Sequence, residues 1–207
     1  MTPIPAPSPN FDARVSPPDM IVLHYTGMPT GEGALARLCD PAAKVSAHYM
    51  VEEDGRVFAL VPEERRAWHA GRSFWKGATD INGLSVGVEI VNPGHEFGYR
   101  PFPDGQIAAV IDLLADIRSR WTIPDERIVG HSDVAPDRKE DPGELFPWRR
   151  LHETGIGHFV EPEPVVAGPV LKEGDREEAV GILKRRFRGY GYGLADGAEF
   201  DASMTAV

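Results

Sequence analysis

Three short apolar runs of this chain carry a titratable side chain at or near one end. The runs lie in residues 20–23, 84–91 and 127–130, the last of which begins with Arg127. His24 and His131 directly follow the first and third runs, and Glu89 is the one charged residue of the second. A continuous apolar run of this length is typical of a buried strand. Because strand ends can converge on one cleft of a sheet, we expect the three side chains to meet there.

The pattern between these runs predicts alternating strands and helices. Residues 47–52 and 56–61 are strand-like and flank an Asp-Gly turn, which is a hairpin signal. Apolar residues recur at helical spacing over 33–39 and again over 104–120, where Asp104 is the predicted N-cap. Residues 62–83 are predicted to form a long irregular loop. We therefore predict an α/β fold, with a mixed central β-sheet flanked by helices.

A histidine, a lysine and an aspartate lie within eleven residues of the chain, as His131, Lys139 and Asp141. Together with His24 they provide two imidazoles and one carboxylate, a common ligand set of a hydrolytic zinc that keeps its fourth position open. The lysine places a positive charge where acyl transfer develops negative charge. The set predicts a metal-assisted amide or ester hydrolase with one Zn²⁺ per chain. The alternative for Lys139 is a surface ion pair with Glu140.

Glu89 is expected to act as a general base. A carboxylate in an apolar strand is costly to bury unless it is paired, hydrogen-bonded or close to a cation. Beside a zinc, it would take a proton from the attacking water and pass it to the leaving amine. The alternative is a structural glutamate held in a salt bridge.

Composition excludes several classes of function. Lys and Arg number 22 against 32 Asp and Glu, a net charge of −10. Nucleic-acid binding is not expected, because phosphate contacts require a basic face. No apolar run approaches the roughly 20 residues that cross a bilayer, so no membrane partner is expected. The single cysteine, Cys39, fits a reducing compartment. No signal peptide is visible, and a cytoplasmic location is predicted, or a periplasmic one if a leader has been removed.

Proline and glycine content divides the chain into four parts. Residues 1–18 form a Pro-rich N-terminal arm, 19–156 the predicted catalytic domain, and 157–169 a linker centred on Glu-Pro-Glu-Pro. Residues 170–207 are predicted to form a small helical segment, with a helix from 176 to about 190 capped by Asp175.

Five sequence blocks in fixed order resemble the zinc-dependent N-acetylmuramoyl-L-alanine amidases. That family shares its fold with peptidoglycan-recognition proteins and phage T7-type lysozymes. The blocks are Ile21-Val-Leu-His24-Tyr25-Thr26, Val45-Ser-Ala-His48-Tyr49, Ala67-Trp-His69-Ala-Gly71, Ser85-Val-Gly-Val-Glu89-Ile-Val-Asn92 and the stretch from Gly130-His131 to Asp141-Pro-Gly143. The resemblance covers about residues 18–150. More weakly, residues 171–207 resemble the first part of a helical peptidoglycan-binding domain.

The resemblance implies a role for each candidate residue. His24, His131 and Asp141 would bind zinc, and Glu89 and Lys139 would be catalytic. Four further residues are predicted to contact substrate, namely His48, His69, Trp75 and Asn92. For three of them a structural role is an open alternative. His48 could be a hydrogen-bonded core histidine, Trp75 could pack on the loop, and Asn92 could cap a turn.

The implied reaction is hydrolysis of the amide between N-acetylmuramic acid and L-alanine of the stem peptide, in cell-wall turnover or recycling. The predicted partners are peptidoglycan fragments, above all 1,6-anhydro-muropeptides. Two alternatives remain open, a non-catalytic recognition module on the same fold and a periplasmic amidase on polymeric peptidoglycan. The oligomeric state does not follow from the sequence.

Overall fold

A computed structural model describes residues 2–164, 166, 168 and 170–207 of the chain. The strands are β1 (Ile4–Pro5), β2 (Phe11–Ala13), β3 (Met20–Tyr25), β4 (Tyr49–Val51), β5 (Val57–Ala59), β6 (Arg65–Ala67), β7 (Ser85–Ile90) and β8 (Ile128–Gly130). The helices are α1 (Gly31–Cys39), α2 (Ile81–Leu84), α3 (Gly94–Phe97), α4 (Asp104–Arg120), α5 (His131–Val134), α6 (Trp148–Glu153), α7 (Glu178–Tyr190) and α8 (Ala202–Ala206). A 3₁₀ turn spans Asp125–Arg127.

Six strands form the central sheet in the order β1-β5-β4-β7-β3-β8. The β4–β5 pair is the antiparallel hairpin that the Asp-Gly turn predicts, and the remaining pairs of this sheet are parallel. A second small sheet pairs β2 with β6 in antiparallel fashion. The mixed sheet with flanking helices confirms the predicted α/β fold.

Alternation along the central strands separates a core face from a site face. Ile21 and Leu23 of β3 pack on one side with Val88 of β7 and with Ile107, Val110, Leu113, Leu114 and Ile117 of α4. Successive side chains of a strand point to opposite faces. His24 and Glu89 therefore point to the other face, where they are register partners on neighbouring strands. The long helix α4 thus covers the face of the sheet opposite to the site.

The structure adds strand pairing to one predicted segment and corrects two others. The N-terminal arm joins both sheets, since β1 pairs with β5 and β2 pairs with β6. The segment 62–83 is less irregular than predicted, because β6 and the start of α2 lie within it. Asp175 does not cap the C-terminal helix, which begins at Glu178, and its carboxylate instead accepts a hydrogen bond from the Lys172 amide.

The C-terminal segment has a small core of its own and packs on the rest of the chain. Val180, Leu194 and Met204 are the buried hydrophobic residues of this core. Tyr190 and Tyr192 contact the indole of Trp75 edge to face, at ring centroid distances of 5.9 and 5.2 Å. Residues 165, 167 and 169 of the predicted linker lie outside the described residues. Among the described helices, none has the length and apolar content needed to cross a bilayer.

Candidate active site

Three strand and loop ends bring the proposed metal ligands together. His24 lies at the end of β3, His131 begins α5 directly after β8, and Asp141 lies in the loop that follows α5. Asp141 Oδ2 is 2.9 Å from His24 Nδ1 and 3.0 Å from His131 Nδ1, and the two Nδ1 atoms are 2.9 Å apart. All three residues are buried. The structure therefore places these three donor atoms around one point.

The chemistry of this donor set fits a zinc ion. Donors around a tetrahedral zinc lie about 3.3 Å apart, close to the separations in this group. Although burial alone raises it, the hydrogen bonds with His131 and His24 hold the pKa of Asp141 well below its ordinary value. Burial, followed by the neighbouring His131, lowers the pKa of His24 to about 4. At neutral pH the group thus offers a carboxylate and an unprotonated His24, the forms that bind metals.

Glu89 lies beside this group and retains an unused acceptor. Its Oε2 atom is buried and has no hydrogen-bond partner among the described residues. Burial is the main cause that raises the pKa of Glu89 well above its ordinary value, with a further contribution from the negative charge of Asp141, and Lys139 opposes both. A carboxylate of raised pKa that faces the cleft is suited to accept a proton from a reacting group.

Lys139 lines the same cleft as the ligand group and Glu89. Its positive charge acts on both His24 and Glu89, where it lowers their pKa values. The predicted surface pair with Glu140 does not describe its surroundings, because Glu140 faces His95 at 3.5 Å. The other cleft residues are mostly polar or aromatic and include Tyr25, Met28, Arg37, Trp68 and His95.

The four predicted substrate contacts have different locations. His69 lines the cleft, and its Nδ1 lies 3.0 Å from Nε2 of His24. His48 is fully buried, and its Nδ1 accepts a hydrogen bond from the Gly87 amide. Asn92 is buried and caps the turn before α3, since its Oδ1 accepts from the Gly94 amide. The structural alternatives for His48 and Asn92 therefore describe their contacts.

The structure corrects the prediction that Trp75 lines the cleft. Its side chain is 1% exposed and lies beneath Tyr190 and Tyr192 of the C-terminal segment. A side chain covered in this way has no surface to offer a substrate. Its aromatic character in a polar loop is explained by packing against the C-terminal segment.

Sequence reasoning missed two residues that support the site. Arg14 donates to the carbonyls of Gly83 and Ser85 and contacts His48. Asn82 is buried, and its Oδ1 accepts from the amides of His69 and Ala70. Asn82 lies in α2, two residues before the apolar run 84–91, and a polar residue at that place is the signal that could have found it.

The fold and the donor set define a class. A buried His-His-Asp group that can hold a metal ion, with a carboxylate beside it on a mixed α/β sheet, is typical of metal-assisted hydrolases. Residues 14–144 match the sequence model of the N-acetylmuramoyl-L-alanine amidase family, and the chain belongs to that family. Membership confirms the family predicted from the five sequence blocks and the amidase class that it implies.

Two curated relatives show how much of the chain is shared. AmiD of Escherichia coli (strain K12), an N-acetylmuramoyl-L-alanine amidase, is 41% identical over 158 residues, which cover 70% of this chain and 56% of AmiD. AmpD of the same strain, a 1,6-anhydro-N-acetylmuramyl-L-alanine amidase, is 34% identical over 168 residues, which cover 70% of this chain and 87% of AmpD. The chain thus spans little more than half the length of AmiD and most of that of AmpD.

Solved structures agree with the fold. The complex of E. coli AmiD with the substrate anhydro-N-acetylmuramic acid-L-Ala-D-γ-Glu-L-Lys superposes with a TM-score of 0.74 at 35% identity, covering 89% of this chain and 76% of AmiD. AmpDh3 of Pseudomonas aeruginosa superposes with a TM-score of 0.70 at 30% identity, covering 92% of this chain and 82% of that protein. Both alignments extend beyond the 70% of the chain that the two curated relatives cover.

Proposed function

We propose that this chain hydrolyses the amide between N-acetylmuramic acid, in its 1,6-anhydro form, and L-alanine of peptidoglycan stem peptides, with one Zn²⁺ per chain. The observation that carries the proposal is the group of three buried donor atoms, His24 Nδ1, His131 Nδ1 and Asp141 Oδ2, all within 3.0 Å of one another. A group of this kind beside a carboxylate and a lysine meets the needs of amide hydrolysis.

In this proposal His24, His131 and Asp141 hold the zinc. The ion would supply a lowered pKa of the attacking water and polarisation of the scissile carbonyl. Glu89 accepts one proton from that water and later delivers it to the alanine nitrogen, which leaves as an amine. Lys139 faces the negative charge that develops on the carbonyl oxygen. Water and amide are converted into a muramic acid carboxyl group and a free peptide amine, and transfer of the remaining proton gives the carboxylate and the ammonium form.

The named relatives support the substrate class. AmpD is named for the anhydro form of the sugar, and the AmiD complex holds an anhydro-muramyl tripeptide described as its substrate. On this basis we retain the recycling role as a prediction. The cytoplasmic location, with the periplasm as its alternative, stays a prediction from the sequence. The main rival substrate is polymeric peptidoglycan, which the C-terminal segment favours through its weak resemblance to a wall-binding domain.

The decisive experiment combines metal content with turnover. Purified full-length chain is analysed by mass spectrometry for zinc, and release of peptide from anhydro-N-acetylmuramyl-tripeptide is measured before and after chelation. One zinc per chain, with activity lost on chelation and restored by Zn²⁺, supports the proposal. Binding of muropeptide without metal or turnover would move the chain to the recognition-module alternative. A higher kcat/KM on intact sacculi than on the anhydro-tripeptide would contradict the recycling role alone.

A further inference from the structure

Two consecutive residues, His69 and Ala70, contact the outer nitrogens of the two proposed ligand histidines. Nε2 of His24 is 3.0 Å from Nδ1 of His69, and Nε2 of His131 is 3.1 Å from the carbonyl oxygen of Ala70. Both ligand rings turn their Nδ1 atoms toward Asp141. One short segment thus faces the outer nitrogen of each ring, on the side away from the donor group.

The hydrogen bonds around His69 have one consistent direction. With Nδ1 of His24 reserved for the metal, its proton resides on Nε2, which donates to Nδ1 of His69. His69 is then protonated at Nε2, and this atom lies 3.3 Å from the hydroxyl oxygen of Ser85. The Ser85 hydroxyl in turn donates to the carbonyl oxygen of Ile81 at 2.6 Å. Each donor in this series has one acceptor, so the series fixes the tautomer of His24.

The position of His69 is fixed from two sides. The Oδ1 atom of Asn82 accepts hydrogen bonds from the amides of His69 at 3.0 Å and of Ala70 at 2.7 Å. On the other side, the ring lies against Gly87 of β7. A Cβ atom at residue 87 would lie 2.5 Å from Cγ and Cδ2 of His69. The central strand therefore carries a glycine where the imidazole needs the space.

We propose that His69 is a positioning residue for the metal centre, which holds His24 in its metal-binding tautomer and orientation while the Ala70 carbonyl does the same for His131. This inference rests on the proposed zinc site. It replaces substrate contact as the main role of His69. Replacement of a residue that hydrogen-bonds the outer nitrogen of a ligand histidine typically lowers metal affinity or activity about 10- to 100-fold.

The test compares two substitutions of equal shape in the full-length chain. His69→Asn keeps an oxygen acceptor near the place of Nδ1, whereas His69→Leu has the same branching and no acceptor. Zinc affinity is measured by competition with a chromophoric chelator, and the visible spectrum of Co²⁺-loaded protein reports the ligand geometry. We expect at least about tenfold weaker zinc binding and an altered Co²⁺ spectrum for His69→Leu, and affinity within about threefold of wild type for His69→Asn.

His48→Leu is the matched control. This histidine is also buried and bonds Gly87, with its ring centroid 5.8 Å from that of His69, and it does not touch the donor group. Its replacement is expected to lower the melting temperature of the metal-free protein while zinc affinity stays within about threefold of wild type.

The outcomes separate this inference from the proposed function. Equal zinc affinity of wild type and His69→Leu would overturn the positioning role and leave the zinc site intact. A wild-type chain that binds no zinc would overturn both. If neither His69 variant folds, Ser85→Ala breaks the same series one step further out. Weaker zinc binding by that variant supports the role, and unchanged binding overturns it.

Discussion

His24 and Glu89 are register partners on the neighbouring parallel strands β3 and β7, so their side chains leave the same face of the sheet side by side. The relationship explains how the proposed metal ligand and the proposed proton acceptor can be placed together by backbone pairing alone. Each is also the next-to-last residue of a mostly apolar strand, which keeps both at the edge of the core. A change at Glu89 can therefore alter proton transfer without moving the ligand strand.

Replacement of Glu89 is expected to remove turnover and keep the metal. Glu89→Gln preserves the size of the side chain but cannot accept a proton, so kcat should fall about 10²- to 10⁴-fold. Zinc content by mass spectrometry should stay at the wild-type value, because Glu89 is outside the donor group. The exposed Glu153→Gln on α6 is the control. Loss of zinc from Glu89→Gln would identify this residue as a ligand or as a structural support.

Glu63 is expected to make stability depend on pH. This buried carboxylate accepts hydrogen bonds from Tyr49, Arg120 and Trp121. Burial raises its pKa, but the hydrogen bonds from Arg120 and then from Tyr49 and Trp121 outweigh it, so the pKa of Glu63 lies below its ordinary value of 4.5. The folded state then binds the proton less readily than the unfolded state, and Glu63 stabilises the fold above that value.

The difference in unfolding free energy between wild type and Glu63→Gln measures this contribution. Urea unfolding with chelator present should show the variant less stable by about 1–3 kcal/mol at pH 7. The difference should shrink as the pH falls below about 4.5, because protonation of Glu63 then also weakens the wild type. A difference that stays constant from pH 7 to pH 3.5 would show that the charge of Glu63 does not matter.

The sequence predicted which side chains meet at the candidate site better than it predicted their surroundings. His24, Glu89 and His131 could be found because each interrupts or follows an apolar run, a local signal that reports strand ends. The role of Trp75 could not be found in this way, since its neighbours Tyr190 and Tyr192 are more than 100 residues away in the chain. The pairing of β1 with β5 could not be predicted for the same reason. A proline-rich arm predicts extended backbone but does not indicate which strand it pairs with.

Two glycines should respond oppositely to the same substitution. At Gly87 an added methyl group would meet the His69 ring at 2.5 Å, so Gly87→Ala should destabilise the fold by about 1–3 kcal/mol. Gly105 is exposed in α4 with no atom within 4 Å of an added Cβ, so Gly105→Ala should stabilise the fold by about 0.5–1 kcal/mol. Urea unfolding of both variants checks the pair, and stabilisation by Gly87→Ala would show that the ring has room to move.

Tyr192 is expected to fasten the C-terminal segment to α5, the short helix that begins with His131. Its hydroxyl donates to Oδ1 of Asp133 at 3.0 Å, and Oδ2 of the same carboxylate accepts from the Gly130 amide at 2.7 Å. Tyr192→Phe keeps the ring on Trp75 but leaves an oxygen of the partly buried Asp133 carboxylate without this donor, at a cost of about 1–3 kcal/mol.

That cost should appear as local opening of the segment. Amides of residues 190–194 are expected to exchange with deuterium about 5- to 100-fold faster in Tyr192→Phe than in wild type, because a smaller opening free energy raises the open population. Tyr190→Phe is the matched control, since Tyr190 packs on the same indole but is 48% exposed. Its exchange should stay close to wild type. If both variants exchange at the wild-type rate, ring packing alone holds the segment, and the bond to Asp133 contributes nothing to docking.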